Sequence, residues 1–174
     1  CLQRDVGREL VPGQRELTEA ERGDLEVSFQ PVVVRQVLEA LTASHELIAD
    51  EAGVTLVTEP ERVEVIETDP QLLRRVLWHL AENAIEASDP GQTVTVRALP
   101  DRFGAAFEVA NESVMAEDVQ SQLFQRSFST KAAKGRGLGA YTVKLLTERY
   151  LGGQVGFTST TEDGTTVRII LPQR

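Results

Sequence analysis

"QLLRRVLWHLAENAIEAS", residues 71–88, is the stretch on which the reading turns. Leu72, Leu73, Val76, Leu77, Leu80, Ala84 and Ala87 recur at helical spacing and make one apolar stripe. Asp69-Pro70 just ahead supplies an N-cap followed by a first-turn proline, so a helix opens there. At roughly 100° per residue, Asn83 falls within the stripe, about 60° from its centre, with His79 and Glu86 on the same flank. A buried carboxamide costs about 1 kcal/mol or more unless it finds partners. A lone asparagine there would read as a satisfied core residue. An asparagine, a histidine and a carboxylate along one edge read as a site. An amide oxygen facing a wet cleft suits a hard cation, and Mg²⁺ keeps several waters with few protein ligands.

Working outward, "TVTVRAL" and "AAFEVAN" alternate as two strands around a turn near Asp101–Gly104. Upstream, "GVTLVTE" and "RVEVIET" read as short strands parted by a turn at Pro60. "DLEVSFQP" (24–31) alternates Leu25, Val27 and Phe29 with polar neighbours and stops at Pro31, which predicts a strand. From Pro31, a plausible first helical position, to about Ala52, Val34, Val37, Leu38, Leu41, Leu47 and Ile48 predict a helix. Downstream, a helix around 116–126 precedes a glycine-rich loop. Another helix begins near Gly139 and ends at Gly152-Gly153. Two last strands, "QVGFTST" and "TTVRIILP", are joined by a Glu162-Asp163-Gly164 turn. Paired strands mixed with long helices predict an α/β (α+β) two-layer sandwich, a sheet with helices on one face. Residues 1–22, with Leu2, Val6, Leu10 and Leu17, read as helix interrupted at Pro12-Gly13. The pattern begins without a cap, so this stretch is read as the end of a longer helical element.

A chain of 174 residues, 41% hydrophobic and 26% charged, is enough for one core. No apolar run is long enough to span a bilayer, and no signal-peptide pattern opens the sequence. The single Cys1 excludes an intrachain disulfide framework and a cysteine-rich metal site, which fits a reducing cytosol. A net charge of −9 argues against general nucleic-acid binding. An anionic ligand must then be held by local geometry.

Such geometry is offered by "KAAKGRGLGAYTVKLL", residues 131–146. Gly135, Gly137 and Gly139 let backbone N–H groups approach a ligand closely, and the following helix adds its dipole. Lys131, Lys134 and Arg136 make the loop basic within an acidic chain. It lacks the GK[ST] ending of a P-loop, and its alternating glycines do not match G-x-G-x-x-G. A flexible surface turn is the bland alternative; charge and position before a helix favour phosphate.

Together these stretches resemble the catalytic, ATP-binding domain of sensor histidine kinases, in the GHKL or Bergerat-type ATPase superfamily shared with gyrase, MutL and the HSP90 chaperones. "HLAENAIEAS" resembles the family's N box, with Asn83 on its magnesium-binding asparagine. "LFQRSFSTK" is similar to the F box, "GRGLG" to the second glycine box, and "DGTTVRIILP" to the closing strand with its Gly-Thr signature, here Gly164-Thr165. The order and spacing agree over about residues 24–172. The resemblance implies a mixed, mainly antiparallel sheet under three helices, with ATP between the N-box helix and a lid formed by residues 126–137. It implies that Asn83 holds Mg²⁺, and that Lys131, Lys134, Gly135, Arg136, Gly137, Leu138, Gly139 and Thr165 belong to the nucleotide site. It also implies phosphoryl transfer to a histidine upstream of these residues, a response-regulator partner, and a homodimer joined through the helices to which 1–22 would belong. Residues 23–174 would then be the catalytic domain, cytoplasmic and without membrane contact of its own, whether or not the parent protein is anchored. His45, in "SHELIADEA", lacks the Asn/Thr-Pro of the acceptor motif, having Ala49-Asp50 instead, and reads as a surface helix residue.

Two departures stand out. The family's first glycine box, Asp-x-Gly-x-Gly, is replaced by "VANESVMAEDVQ" (109–120), two residues shorter and without glycine. Asn111 takes the place of the aspartate that accepts the adenine amino hydrogen, and Ser113 that of a glycine. A charged hydrogen bond contributes about 1.5–3 kcal/mol against about 1 for a neutral one, so affinity falls roughly tenfold. Asn111 reads nearly as well as a strand-end turn residue. His79 stands four residues before Asn83, where gyrase-like relatives carry a general-base glutamate; it could relay a proton, but phosphotransfer to histidine hardly needs a base that activates water. Glu82 points away from the Asn83 edge, and Trp78 reads as packing. Two rival readings remain: a degenerate nucleotide-binding module of the same fold, favoured by the altered glycine box, and a serine-kinase anti-sigma factor, opposed by the helical N-terminal stretch.

Overall fold

Asp69 opens the central helix as its sequence demands. Its Oδ1 accepts hydrogen bonds from Gln71 N at 2.9 Å and Leu72 N at 3.0 Å, ahead of Pro70 in the first turn. In the computed structural model, residues 12–59, 62–126 and 139–174 are described. They form α1 (Pro12–Arg22), β1 (Gln30–Val33), α2 (Val34–Ala52), β2 (Thr55–Thr58), β3 (Val65–Thr68), α3 (Pro70–Glu86), β4 (Thr93–Asp101), β5 (Gly104–Asn111), α4 (Glu117–Gln120), α5 (Gly139–Leu145), β6 (Gln154–Thr160) and β7 (Gly164–Pro172). A π turn, Leu146–Tyr150, continues α5.

The main sheet has five strands in the order β2-β4-β5-β7-β6; β2 runs parallel to β4 and the other neighbours are antiparallel. One face is apolar. Val94, Val96 and Ala98 of β4, Phe107 and Val109 of β5, and Ile169 and Leu171 of β7 are buried with Leu73, Val76, Leu77 and Leu80 of α3. Helices α2, α3 and α5 cover that face. The opposite face is polar, with Arg168 donating to Glu108 at 2.5 Å and to Asp101 at 2.9 Å. This is the two-layer sandwich expected from the alternating strands and amphipathic helices. No helix among the described residues is long and apolar enough to cross a membrane.

Several local expectations shift. The strand expected over 24–31 pairs only from Gln30, where β1 joins β3 in a separate two-stranded ribbon. Residues 24–29 keep their alternating burial but join no sheet; the Ser28 N–H donates instead to Asp69 Oδ2 at 2.8 Å. Alternation reports a half-buried surface, not a ladder. Pro31 is not a helical residue but lies within β1 opposite Glu67, a place a two-stranded ribbon tolerates because each strand has a free edge. Strands β2 and β3 belong to different sheets.

His45 is fully buried, not a surface residue. Leu38, Leu41, His45 and Ala49 share one buried face of α2, while Leu47, expected in that stripe, is 68% exposed. The His45 ring packs 4.3 Å from the Trp78 ring, and its Nδ1 lies 3.0 Å from the Leu41 carbonyl. The helix expected over 116–126 is only α4 followed by turns; α4 has no buried residue and no side-chain cap to hold a longer run. Helix α3 ends at Glu86, so Ala87 is its exposed C-cap, and Ala81 and Ile85 join the buried stripe in its place.

Candidate nucleotide site

The far half of α3 meets the beginning of α5. A Cβ placed on Gly139 would lie 3.4 Å from both Asn83 Nδ2 and Oδ1, and 3.6 Å from His79 Nδ1. The absence of a side chain at Gly139 therefore leaves space directly before the carboxamide and the imidazole. Asn83 is half-buried at the edge of the apolar stripe rather than inside it. His79 is also partly covered. Burial lowers its pKa below the ordinary value; nearby Glu82 opposes that shift and Arg75 adds to it. At neutral pH the ring is therefore uncharged. Glu82 is half-buried and close enough for its charge to act on His79, so it is not a freely solvated group.

Asn111, the last residue of β5, reaches the same helix from the sheet. It is buried, and its Nδ2 donates to the Ala84 carbonyl, next to Asn83, at 3.4 Å. Its Oδ1 is buried and has no partner. A buried acceptor left unmade costs about 1–3 kcal/mol, which a ligand donor would recover.

The segment after Asn111, where the resemblance leads one to expect glycines, is pinned by side chains. Ser113 Oγ donates to Gln92 Oε1 at 3.0 Å, and Glu112 Oε2 accepts from Thr93 N at 2.7 Å. Thr165 lies opposite Asn111 in the β5–β7 pairing and is buried. Its Oγ1 donates to the Ser113 carbonyl at 2.8 Å and lies 2.7 Å from Ser159 Oγ, which accepts from Met115 N at 2.8 Å. Thr165 thus acts on the loop that follows Asn111. Gly164 makes this approach possible: its φ is 72°, and a Cβ there would sit 2.2 Å from the Asn111 carbonyl oxygen. The sequence marks Gly164 as a turn residue and, by resemblance, as part of a Gly-Thr signature, but it does not mark Ser159. Their shared role arises from strand register, which joins positions distant in sequence.

The structure brings together His79, Asn83, Asn111 and Gly139, with Thr165 supporting Asn111. Lys131, Lys134, Gly135, Arg136, Gly137 and Leu138 lie outside the described residues. Among the described residues, no group of three His, Cys, Asp or Glu is arranged to hold a metal. Trp78 packs on His45 rather than joining this group.

Residues 68–174 match the model of the histidine kinase-, DNA gyrase B- and HSP90-like ATPase family. The chain is 33% identical over 119 residues to the circadian input-output histidine kinase CikA of Synechococcus elongatus, covering 65% of this chain and 16% of that protein. It is 28% identical over 166 residues to the aerobic respiration control sensor protein ArcB of Escherichia coli, covering 90% of this chain and 21% of that protein. The chain thus spans about a sixth to a fifth of these relatives. A catalytic domain of histidine kinase ThkA superposes with a TM-score of 0.74 at 21% identity, covering 84% of this chain and 96% of that one. Full-length ShkA, solved with AMPPNP, superposes with a TM-score of 0.75 at 24% identity, covering 95% and 40%. These two likenesses establish the fold. The chain belongs to the histidine kinase-, DNA gyrase B- and HSP90-like ATPase family, as a nucleotide-binding domain similar to those of sensor histidine kinases.

Proposed function

We propose that this chain is the ATP-binding catalytic domain of a sensor histidine kinase, which passes the γ-phosphoryl group of ATP to a histidine outside these residues. The observation that carries the reading is the buried, unpartnered Oδ1 of Asn111 beside the helix that bears Asn83 and His79. Asn111 accepts the adenine amino hydrogen. Asn83, half-buried and facing Gly139, would hold Mg²⁺ through its carboxamide oxygen, a hard-cation ligand. Mg²⁺, when bound, neutralises phosphate charge. His79, its pKa lowered by burial, stands beside Asn83 as a structural or hydrogen-bonding residue. Lys131, Lys134 and Arg136, with Gly135, Gly137 and Leu138, complete the phosphate side.

Residues 1–22 are then the end of the dimerisation helices, and a second subunit and a response regulator are the partners. A ThkA structure in complex with the response regulator TrrA supports that partner class. A cytoplasmic setting follows from the need for ATP. The test is to incubate the full-length parent protein with γ-labelled ATP. Label that is lost in acid and kept in base, and that fades in Asn83→Ala, is expected. No label, or acid-stable label, contradicts the kinase reading.

A further inference from the structure

Helix α1 touches both helices that bound the nucleotide site. Glu16 pairs with Arg75 of α3, one turn before His79. Leu17 and Ala20 are buried. At the end of the helix the Glu21 carboxylate receives a two-point contact from Arg126, Nε to Oε1 at 2.5 Å and Nη2 to Oε2 at 3.3 Å, and lies near enough to Tyr141, in the first turn of α5, for the two side chains to act on each other electrostatically. The Glu21 carbonyl accepts from Arg149 Nη1 at 3.1 Å, and the Ala20 carbonyl from Tyr150 Oη at 2.5 Å. Arg126 and Glu21 hold each other in their charged forms: the arginine is the main cause of the lowered Glu21 pKa.

The anchor points are close to the site. Tyr141 is two residues after Gly139, and Arg75 is four residues before His79. Gly139 faces Asn83 and His79 closely enough that an added Cβ would reach both at van der Waals distance. A helix fastened to α3 through Glu16 and to the π turn that continues α5 through the Ala20 and Glu21 carbonyls bears on how far apart those facing groups stand. Once α1 is released, the π turn that continues α5 loses the two carbonyl contacts made by Arg149 and Tyr150, and the start of α5 loses the neighbouring Glu21 charge, so the spacing before Asn83 is no longer set from that side.

We propose that Glu21 is a positioning residue for the nucleotide site, so that docking of α1 and binding of nucleotide favour each other. The proposal rests on the nucleotide reading given above. Linkage makes the effect reciprocal: whatever α1 docking adds to nucleotide affinity, nucleotide adds to α1 docking.

The test uses the intact chain with MgATP. Affinity is measured by calorimetry for the wild type, Glu21→Gln and Tyr150→Phe, alongside their thermal midpoints. Both variants should bind about fivefold more weakly, or worse, while keeping the fold by circular dichroism. Hydrogen exchange on the wild type supplies a readout that needs no variant: the amides of residues 16–22 should gain protection when nucleotide is added. Lower midpoints with unchanged affinity would make Glu21 merely structural and overturn the proposal, as would α1 protection indifferent to nucleotide. A wild type that binds no ATP would instead sink the nucleotide reading itself, and the proposal with it.

Discussion

Asn111→Ala separates a ligand-binding residue from a turn residue. In the free protein the Asn111 carboxamide makes one long hydrogen bond, Nδ2 to the Ala84 carbonyl at 3.4 Å, while Oδ1 has no partner. The Ala84 carbonyl does not depend on that bond, since Ser88 Oγ donates to it at 2.7 Å. Truncation therefore removes a weak bond worth about 0.5–1 kcal/mol and, with it, an unsatisfied acceptor costing about 1–3 kcal/mol. The difference lies between about zero and about 2.5 kcal/mol in the variant's favour before the lost packing of the side chain is counted, so the variant should not unfold markedly more easily than the wild type. Binding behaves differently. Loss of a neutral acceptor for the adenine amine should cost about 1 kcal/mol, roughly fivefold in ATP affinity. GTP, which presents no amine at that position, should bind the variant and the wild type alike. Calorimetry with both nucleotides and a urea melt suffice. A drop of more than about 2 kcal/mol in stability with ATP affinity intact would mean that Asn111 serves the fold alone.

Gly139→Ala places a methyl group 3.4 Å from both polar atoms of the Asn83 carboxamide, a distance the folded chain accommodates. Its melting should shift by no more than about 1 kcal/mol equivalent, while nucleotide affinity falls about tenfold or more, which calorimetry reads. Gly164→Ala combines a left-handed φ of 72° with a Cβ 2.2 Å from the Asn111 carbonyl oxygen, so it should lose more than about 2 kcal/mol in a denaturant melt. His79 has a folded pKa below its ordinary value, so the unfolded chain takes up its proton first as pH falls. Its contribution to stability is whole above the ordinary histidine range and declines as pH drops from there toward the depressed folded value. Wild type should lose more stability than His79→Gln between about pH 7 and 5.5; parallel melting curves would contradict this.

The parts legible in the sequence are those set by local chemistry. Asp69-Pro70 marks the start of α3, and Glu162-Asp163-Gly164 marks the turn between β6 and β7, because caps and turns depend on a few adjacent residues. Asn83 stands out in the sequence because helical spacing puts a carboxamide beside the apolar stripe, at whose edge it lies. What escaped depends on pairing between distant residues. Alternation in 24–31 cannot say that only Gln30 onward finds β3, and Pro31 suits a ribbon edge as well as a first helical turn. His45 is polar by type but sits in the buried face of α2 under Trp78, and only the α2–α3 packing shows it. The support of Asn111 by Gly164, Thr165 and Ser159 follows from the β5–β7–β6 register. The contacts of Glu21 with Arg126 and Tyr141 span the chain from one end toward the other, beyond any local pattern.

The most direct measurement is a calorimetric titration of ATP into the wild type and Asn83→Ala, each with and without Mg²⁺. Wild type should bind more tightly with the ion, and Asn83→Ala should lose that gain while remaining folded. An Asn83→Ala chain that responds to Mg²⁺ as the wild type does would contradict the placing of a metal-chelated triphosphate between α3 and the start of α5.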